Sequence, residues 1–327
     1  MKPRLLVIEL WGLGDLVIAS SFLKAAAEKY EVTLLAKPYA GDLGRRFWPS
    51  VRTVNFVAPW TAFRGKYLLY NWPWARLLRI RRELGGSFDV ALSARWDPRD
   101  HALIKWIGAD QRLGFPRVGS QIILTRPLRR PAPASHRIEY WKVLGDALSL
   151  NLAAQPAPSP TASGSGEILV HSGAGQPIRV WPLDHYLNIV QRLRARGHRV
   201  RVACDADQLG WWHAAGEAGA AMPSTVPQLL ELIDHSAVFV GNDSGPAHLA
   251  AYTGIPTFTL FGPQLYEWFA PLHPQGDCFE GKPCPYKPCS DYCRFDSPLC
   301  LRNVSSDEVW VALTKFLDRV AIPSRAA

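Results

Sequence analysis

The sequence predicts an α/β protein with two domains, and three observations support this. The chain has 327 residues, which is the length of two ordinary domains, and 48% of them are apolar, as in a globular protein. Two mostly apolar segments, Arg4–Leu10 and Ala237–Gly241, each run into a glycine-containing turn and then a helical pattern. Residues 152–166 are rich in Pro, Ala and Ser and have no hydrophobic periodicity, as expected of a linker. We therefore predict an N-terminal domain over 1–151 and a C-terminal domain over 167–327.

The N-terminal domain is predicted to open with a β–loop–α–β unit. Arg4–Leu10 is a strand, Trp11–Asp15 a loop, Leu16–Tyr30 a helix with an apolar face, and Glu31–Ala36 the next strand. This order is Rossmann-like. The loop reads G-x-G-D and lacks the third glycine of the dinucleotide fingerprint, so we expect no nicotinamide and no other cofactor.

The rest of this domain alternates basic and apolar segments. The stretch 62–84 contains a helix and many cations, Arg64 and Lys66 among them, and a run of this kind is either a solvated face or an anion-binding surface. The strand Phe88–Ser93 leads to Arg95, Asp97 and Arg99. Further elements are predicted at His101–Ile107 (helix), just after Gly108 (strand) and at His136–Leu150 (helix).

The C-terminal domain is predicted to repeat the β–loop–α pattern. The predicted elements are the strand Glu167–His171, a loop over 172–179 that contains Gly173 and Arg179, the helix Leu183–Gly197, the strand Arg199–Ala203 and the helix Pro227–Asp234. Asp205 follows a strand, where a carboxylate can either accept hydrogen bonds from ribose hydroxyls or cap a helix.

The segment Ala237–Pro263 is the part of the chain with the clearest chemistry. It predicts a strand, a polar turn, a helix over His248–Tyr252 and a second strand over Thr257–Phe261. The N–H groups of Ser244 and Gly245 at the start of that helix can bind an anion, and His248 lies one helical turn further on. The alternative is a capped helix with a buried histidine, and the spacing alone leaves both interpretations open.

The basic residues are concentrated in the first half of the chain. Residues 1–155 contain 24 Lys and Arg against 12 Asp and Glu, whereas 156–327 contain 13 against 16, giving +12 and −3. This asymmetry predicts an acidic partner for the first half: an anionic acceptor or an anionic membrane face. No nucleic-acid-binding motif accompanies it, so we expect no nucleic acid partner. Glu9 and Asp15 interrupt what would otherwise resemble a signal peptide, and we expect a cytoplasmic protein.

Five of the six cysteines fall between Cys278 and Cys300. Thiolates at short spacings can bind zinc or iron, which would make Cys284, Cys289, Cys293 and Cys300 metal ligands. The spacing is not that of paired C-x2-C motifs. Structural thiols or a disulfide remain the alternative, and we expect no metal.

The chain contains the motif D-S-G-x-x-H-L-A from Asp243, followed by G-x-P and L-F-G-P up to Pro263. These motifs resemble glycosyltransferase family nine, the heptosyltransferases of lipopolysaccharide inner-core synthesis. Weaker matches are G-x-G-D at Gly12–Asp15, the segment Gly108–Phe115, the run Arg179–Pro182 and the tail Cys289–Val304. The resemblance spans nearly the whole chain.

The resemblance implies a GT-B architecture, in which two Rossmann-like domains face an inter-domain cleft. It also implies an inverting, metal-independent transfer of heptose from ADP-heptose to an acidic acceptor, the lipopolysaccharide inner core. In this scheme the enzyme makes peripheral contact with the cytoplasmic face of the inner membrane. Transfer to a protein or a small natural product, sugar-nucleotide epimerisation and a non-catalytic sugar-nucleotide-binding module are the alternatives.

The resemblance assigns roles to particular residues. Asp15 would be the general base, although an aspartate there can equally be a helix cap. Arg179 stands where the family has a lysine that contacts the donor diphosphate, and Arg is not equivalent to Lys at such a site. The implied donor-binding residues are Gly173, Arg179, Asp205, Asp243, Ser244, Gly245 and His248. The implied acceptor-binding residues are Gly14, Arg64, Lys66, Arg95 and Arg99.

Overall fold

A computed structural model describes residues 1–62, 72–152, 166–289 and 292–320. The chain divides into two compact units, Met1–Pro156 and Ala157–Ala327. The division falls inside the linker predicted for 152–166, of which 153–165 lie outside the described residues.

The described part of the first unit is a parallel sheet with helices between its strands. Its strands are β1 (Arg4–Glu9), β2 (Glu31–Ala36), β3 (Arg52–Asn55), β4 (Phe88–Ser93), β5 (Ala109–Gly114) and β6 (Arg126–Pro127). Its α-helices are α1 (Leu13–Ile18), α2 (Ser20–Lys29), α3 (Ala40–Phe47), α4 (Trp74–Leu84), α5 (Pro98–Ile107) and α6 (Ile138–Ala147). The strand order is β3-β2-β1-β4-β5-β6, and all neighbours are parallel. This is the Rossmann order, and its direction reverses between β1 and β4.

The central strands of this sheet are buried on both faces, which explains their nearly continuous apolar sequence. Five of the six residues of β1 are buried. Leu6 and Ile8 belong to a core cluster that also contains Phe88 of β4 and Ile104 of α5.

The described part of the second unit is a parallel sheet of a related order. Its strands are β7 (Glu167–His171), β8 (Val200–Ala203), β9 (Ser236–Asn242), β10 (Thr257–Phe261) and β11 (Asp277–Glu280). Its α-helices are α7 (Leu183–Ala195), α8 (Leu209–Ala214), α9 (Val226–Asp234), α10 (Gly245–Tyr252), α11 (Tyr266–Phe269), α12 (Leu299–Arg302) and α13 (Ser306–Arg319). The strand order is β11-β10-β9-β7-β8, so the direction reverses between β7 and β9.

In the second unit, helices from the beginning and from the end of the unit's sequence both pack against the sheet. Trp181 and Tyr186 are fully buried with their rings 5.0 Å apart. The C-terminal helix α13 packs Phe316 against Phe258 of β10, at 5.5 Å between ring centroids. The last described segment of the chain is therefore part of this core.

The predicted α/β fold with parallel sheets is confirmed, and several element boundaries were wrong. The single helix predicted over Leu16–Tyr30 is two helices, α1 and α2, which meet at Ala19. Gly14 and Asp15 lie in the first turn of α1 and not in a loop, because Gly12 is extended and the Asp15 side chain accepts its N–H. Helix α10 begins at Gly245, three residues before the predicted start, because Ser244 is extended and Pro246 fits the first turn. The elements α3, β3, α8 and β11 were not predicted.

No helix in the described ranges has both the length and the apolar character required to cross a bilayer.

Candidate functional site

Each unit has a cluster of polar side chains where the strand order of its sheet reverses. Ligands of open α/β sheets bind at the carboxyl ends of the strands that flank such a point. In the first unit these strands are β1 and β4, and in the second unit they are β7 and β9. Most of the predicted site residues in the described ranges lie just after one of these four strands.

In the first unit, Asp15 forms an ion pair with Arg95. Arg95 Nη2 donates to Asp15 Oδ1, and Asp15 Oδ2 accepts a hydrogen bond from the Gly12 N–H at 3.2 Å. Both side chains are largely buried, with 13% of Arg95 and 15% of Asp15 exposed. The Arg95 guanidinium also lies over the Trp11 ring, 4.8 Å from its centroid. The predicted base and one predicted acceptor residue are thus brought together, and two contacts fix the orientation of the carboxylate.

A buried hydrogen-bond network holds the backbone that carries Arg95. The Ser93 hydroxyl accepts the Arg95 N–H at 3.1 Å and donates to Asp100 Oδ2 at 3.1 Å. Trp60 Nε1 donates to the other Asp100 oxygen at 2.9 Å. Burial, and secondarily the charge of Asp97, raises the pKa of Asp100 to about 7. Asp100 was not predicted as a site residue, and its role here is to position the loop after β4.

Glu9 lies at the end of β1, behind the Asp15–Arg95 pair. Its Oε1 accepts the Trp11 N–H at 3.1 Å. Burial, and next to it the negative charge of Asp15, raises the pKa of Glu9 to about 8. Burial lowers the pKa of nearby Lys37, which the charges of Asp15 and Glu9 partly oppose. Glu9 therefore acts as a neutral hydrogen-bonding group below that pH.

Arg137 is a second buried cation beside Arg95. Only 6% of it is exposed, and its guanidinium lies 4.6 Å from the Trp96 ring centroid and 4.9 Å from that of Tyr140. Burial and the like charge of Arg95 lower the pKa of Arg137 to about 10. A carboxylate with two buried guanidinium groups near it is suited to hold an anionic ligand.

The other predicted acceptor residues are placed differently. Arg99 is engaged with Asp97, through Nε at 2.9 Å and Nη2 at 2.6 Å. These hydrogen bonds outweigh burial and lower the pKa of Asp97. Gly14 is half-buried in α1 next to Asp15. Arg64 and Lys66 lie outside the described residues.

In the second unit, the buried Asn242 side chain ties together the loops after β7 and β9. Its Nδ2 donates to the Ser172 carbonyl at 2.8 Å, and its Oδ1 accepts the Trp181 N–H at 3.2 Å. The amide fixes the loop that contains Gly173 and Arg179 against the start of α10.

Arg179 and Asp243 meet at this point. Arg179 Nη1 donates to Asp243 Oδ2 at 3.1 Å, and Asp243 is buried. The Ser244 hydroxyl, at the N-cap of α10, makes no capping hydrogen bond and is buried without a partner in the described residues. Arg179 Nε and Gln176 Oε1 are likewise buried without a partner there. A buried hydroxyl and a buried guanidinium N–H without partners, next to a helix N-terminus, are donors of the kind that an anion-binding site requires.

His248 is buried on α10, with 6% of it exposed. Its backbone N–H lies 3.4 Å from the Ser244 carbonyl, as in the first turn of a helix. Gly245 is the first residue of α10 and is half-buried. His171, which was not predicted, is buried at the end of β7 and its Nδ1 lacks a partner in the described residues. Burial lowers the pKa of His171, which the charge of Asp205 opposes.

Gly173 and Asp205 are in direct contact. A Cβ at position 173 would lie 2.4 Å from the carboxyl carbon of Asp205. Glycine is therefore required where the loop after β7 passes the carboxylate that follows β8. Both belong to the predicted donor set.

All six cysteines are free thiols, so the disulfide alternative is not observed. The described residues contain no group of three or more His, Cys, Asp or Glu side chains arranged to hold a metal ion. Backbone hydrogen bonds attach the cysteine-rich segment to the end of β10, from Cys289 N–H to Pro263 O at 2.9 Å and from Gly281 N–H to Phe261 O at 2.6 Å. Burial, with Asp277, raises the pKa of Cys278 to about 12, and burial also raises the pKa of Cys300.

Two Rossmann-like units, each with a polar cluster at its reversal point, define a protein of the GT-B glycosyltransferase fold class. The family model "Glycosyltransferase family 9 (heptosyltransferase)" matches residues 77–297, which is more than half of the chain. The chain belongs to glycosyltransferase family 9, as its motifs indicated.

Known proteins of this family are similar to the chain over different lengths. Lipopolysaccharide heptosyltransferase 3 of Escherichia coli K12 is 29% identical over 113 residues, which is 32% of this chain and 33% of the relative. The match thus spans about a third of that relative's length.

Two solved structures share the fold over nearly the whole chain. The family 9 glycosyltransferase of Veillonella parvula is 16% identical, with a TM-score of 0.77 over 98% of each chain. The E. coli heptosyltransferase WaaC with ADP-2-deoxy-2-fluoro heptose is 14% identical, with a TM-score of 0.72 over 95% of this chain and 99% of the other.

Proposed function

We propose that this chain is an inverting glycosyltransferase that transfers a heptose from ADP-heptose to an anionic acceptor, the lipopolysaccharide inner core, at the cytoplasmic face of the inner membrane. Family membership supports the reaction class. The related WaaC structure with an ADP-heptose analogue supports the donor. The single observation that carries the proposal is the buried Ser244 hydroxyl at the start of α10, which has no partner in the described residues, with Arg179 held beside it by Asp243.

The donor diphosphate is proposed to bind at the N-terminus of α10. The backbone N–H groups of the first turn and the Ser244 hydroxyl would donate hydrogen bonds to it, and Arg179 would neutralise part of its charge. A diphosphate there would satisfy the Ser244 and Arg179 atoms that lack partners in the described residues. Asp205, at the end of β8, would accept hydrogen bonds from the ribose hydroxyls.

Asp15 is proposed to be the general base. Its carboxylate takes the proton of the acceptor hydroxyl as the hydroxyl oxygen bonds to the anomeric carbon of the donor. The bond from that carbon to the diphosphate oxygen breaks, and ADP leaves with the electron pair. Direct displacement inverts the anomeric configuration. Arg95 and Arg137 would bind an acidic group of the acceptor next to the base.

The leaving group is proposed to be stabilised by the protein without a metal ion. Arg179 and the positive end of the α10 dipole supply charge where it develops on the departing ADP. Each fixed donor of this kind typically contributes about 3–4 kcal/mol of barrier lowering.

The test is ADP release from ADP-heptose, measured with and without a lipid-free inner-core acceptor, together with the anomeric configuration of the product. We expect acceptor-dependent release and an inverted product. Conversion of the donor without acceptor would instead identify an epimerase. ADP binding with no conversion under any condition would identify a binding module.

Asp15→Asn tests the base directly. The amide keeps the size of the side chain and one hydrogen-bond acceptor but cannot take a proton, so we expect turnover to fall about 10²- to 10⁴-fold. Affinity for ADP, measured by calorimetry, should not change. Asp42→Asn, at an aspartate that pairs with Arg45 on α3, is the matched control and should keep full turnover. Comparable turnover in the two variants would remove Asp15 from the mechanism.

A further inference from the structure

One face of the first unit exposes large apolar and basic side chains together. On α4, Trp74 is 51% exposed and Leu78 is 67% exposed, and on α5, Trp106 is 37% exposed. Arg81, Arg82 and Lys105 are exposed beside them. Leu78 is four residues from Trp74 and three and four residues from Arg81 and Arg82, so these side chains lie on one side of α4. These six side chains are here named the α4–α5 face.

The two helices of this face meet at a shallow hollow. It has a volume of about 360 Å³ and is lined by Leu78, Arg81 and Arg82 of α4 and by Ile107 and Gly108 at the end of α5. A Cβ on Gly108 would lie 3.7 Å from Arg81 Nη2, which shows how closely the α4 cation approaches the end of α5. The C-terminal halves of α4 and α5, which carry most of the face, therefore lie side by side.

The charge of the face is positive and not neutralised locally. Arg81 and Arg82 form no ion pair with any described residue. The acidic residues of α4 and α5 are Glu83, which pairs with Arg76, and Asp100, which is fully buried. An exposed apolar surface with unpaired arginines is complementary to a surface that is both apolar and negatively charged.

We propose that the α4–α5 face docks the first unit on an anionic phospholipid bilayer. Trp and Leu side chains partition into the interface between headgroups and acyl chains, while the long arginine side chains reach the phosphates. The hollow between Arg81, Arg82 and Gly108 takes the phosphate of one lipid headgroup. The inference deepens the proposed function. It rests on the proposed function in one respect, namely that a lipid-anchored acceptor requires an enzyme held at a membrane.

This surface is separate from the candidate base. Ser87 and Gly108 precede β4 and β5, so the hollow lies where these strands begin, whereas Asp15 follows the end of β1. Because β1, β4 and β5 are parallel, the two sites are at opposite edges of one sheet. Changes to the face should therefore alter membrane binding without altering turnover of a lipid-free acceptor.

The experiment is co-sedimentation of the full chain with vesicles of phosphatidylcholine alone and of phosphatidylcholine mixed with phosphatidylglycerol. We expect binding to the mixed vesicles only, weakened by salt. The double variant Arg81→Gln/Arg82→Gln should bind the mixed vesicles roughly 30-fold more weakly, because each surface arginine typically contributes about fivefold. Leu78→Ser/Trp106→Ser should remove the part of the binding that persists at high salt.

Matched controls are available on the second unit. Arg192→Gln/Arg196→Gln makes the same change in charge, and Val311→Ser removes an apolar side chain that is 55% exposed. Both should bind vesicles like the unaltered chain. ADP affinity should be unchanged in every variant, so membrane binding can be read even if no transfer activity is found.

Three results would overturn the inference. The unaltered chain could fail to sediment with the mixed vesicles, or bind both vesicle types equally. The double arginine variant could bind like the control variants. Light scattering could show a dimer that Leu78→Ser/Trp106→Ser converts to a monomer, in which case a second copy of the chain covers this face.

Discussion

The Ser244 hydroxyl illustrates how a single residue distinguishes a structural cap from a ligand site. Serine at a helix N-cap normally accepts a hydrogen bond from the first turn, and Ser305 does so at the start of α13. Ser244 occupies the equivalent position on α10 without that hydrogen bond. A buried hydroxyl that stabilises nothing in the free protein is expected to serve a ligand.

Ser244→Ala is therefore expected to weaken ADP binding without destabilising the protein. The loss of a hydrogen bond to a charged phosphate predicts a tenfold to hundredfold decrease in affinity, or about 1.5–3 kcal/mol. The free energy of unfolding should stay the same or rise slightly.

Ser305→Ala is the control and should give the opposite result. It should lower the free energy of unfolding by about 1 kcal/mol and leave ADP affinity unchanged. Calorimetry and urea denaturation measure the two quantities. A destabilised Ser244→Ala variant with normal ADP affinity would show that Ser244 only caps the helix.

The raised pKa of Glu9 predicts that the free energy of unfolding depends on pH. Its pKa is about 8 in the folded chain and near 4.5 when unfolded. The folded state therefore binds more protons between these values, and the stability contributed by the protonated form is lost as pH rises towards 8. Asp100, with a folded pKa of about 7, acts in the same direction.

Glu9→Gln should reduce this loss. The amide oxygen can still accept the Trp11 N–H, and no charge has to be buried at high pH. We expect the variant to be more stable than the unaltered chain at pH 8 by at least about 1 kcal/mol, given about 1.4 kcal/mol per pKa unit. The two should be nearly equal in stability at pH 5. Parallel stability–pH curves would show that Glu9 is not the titrating group.

Among the elements, the pairing of β7 with β9 positions the proposed donor site most directly. Gly241 of β9 is paired with His171 of β7, and a Cβ on it would lie 2.7 Å from the His171 carbonyl. The same Cβ would lie 2.9 Å from the Phe239 ring. Only glycine allows these strands to approach at the point where both lead into the site.

Gly241→Ala should therefore separate the ends of β7 and β9. We expect a loss of about 2 kcal/mol or more in the free energy of unfolding, since backbone would have to move. Gly210→Ala on α8 is the control: nothing lies within 4 Å of its Cβ, and a gain of up to about 1 kcal/mol is expected. Urea denaturation measures both. A neutral Gly241→Ala would mean that the sheet can relax there at little cost.

Sequence periodicity predicted the strands of both sheets better than it predicted helix boundaries. β4, β7 and β10 were predicted with their observed limits because they are short apolar runs between polar residues. The segment that forms α1 and α2 was predicted as a single helix because Leu16, Leu23 and Ala27 continue one apolar face across Ala19. Elements with mixed composition, such as α3 and β11, carry no such pattern, since tertiary packing and not periodicity determines them.

The residues of the site were predictable where they belong to a motif. Asp15, Arg179 and Ser244 were assigned to the candidate site in this way. Glu9, Arg137 and Asn242 were missed because a buried polar side chain has meaning only when its neighbours in space are known. Arg95 was predicted as an acceptor residue, but its ion pair with Asp15 joins positions 80 residues apart and no local pattern indicates it.

For the whole molecule, the division into two units coincides with the division of charge. The net charge of +12 over residues 1–155 includes the buried arginines near Asp15 and the exposed arginines of the α4–α5 face. Residues 156–327, which carry −3, hold Arg179, the cation of the proposed donor site, against Asp243. Many positive charges thus lie in the first unit, for which a large anionic partner is expected. In the second unit, a single arginine lies where a small diphosphate is expected.

Two cysteines of the second unit, Cys204 and Cys278, can report when this unit opens. Only a thiolate reacts readily with a disulfide reagent, and with pKa values of about 11 for Cys204 and about 12 for Cys278, about one thiol in a thousand or fewer is ionised at pH 8. Labelling of these two positions should therefore follow opening of the second unit, and ADP should slow it. Mass spectrometry of labelled peptides would measure the rate of this opening without any engineered probe. Fast labelling that ADP leaves unchanged would show that the reagent reaches these thiols without opening of the second unit.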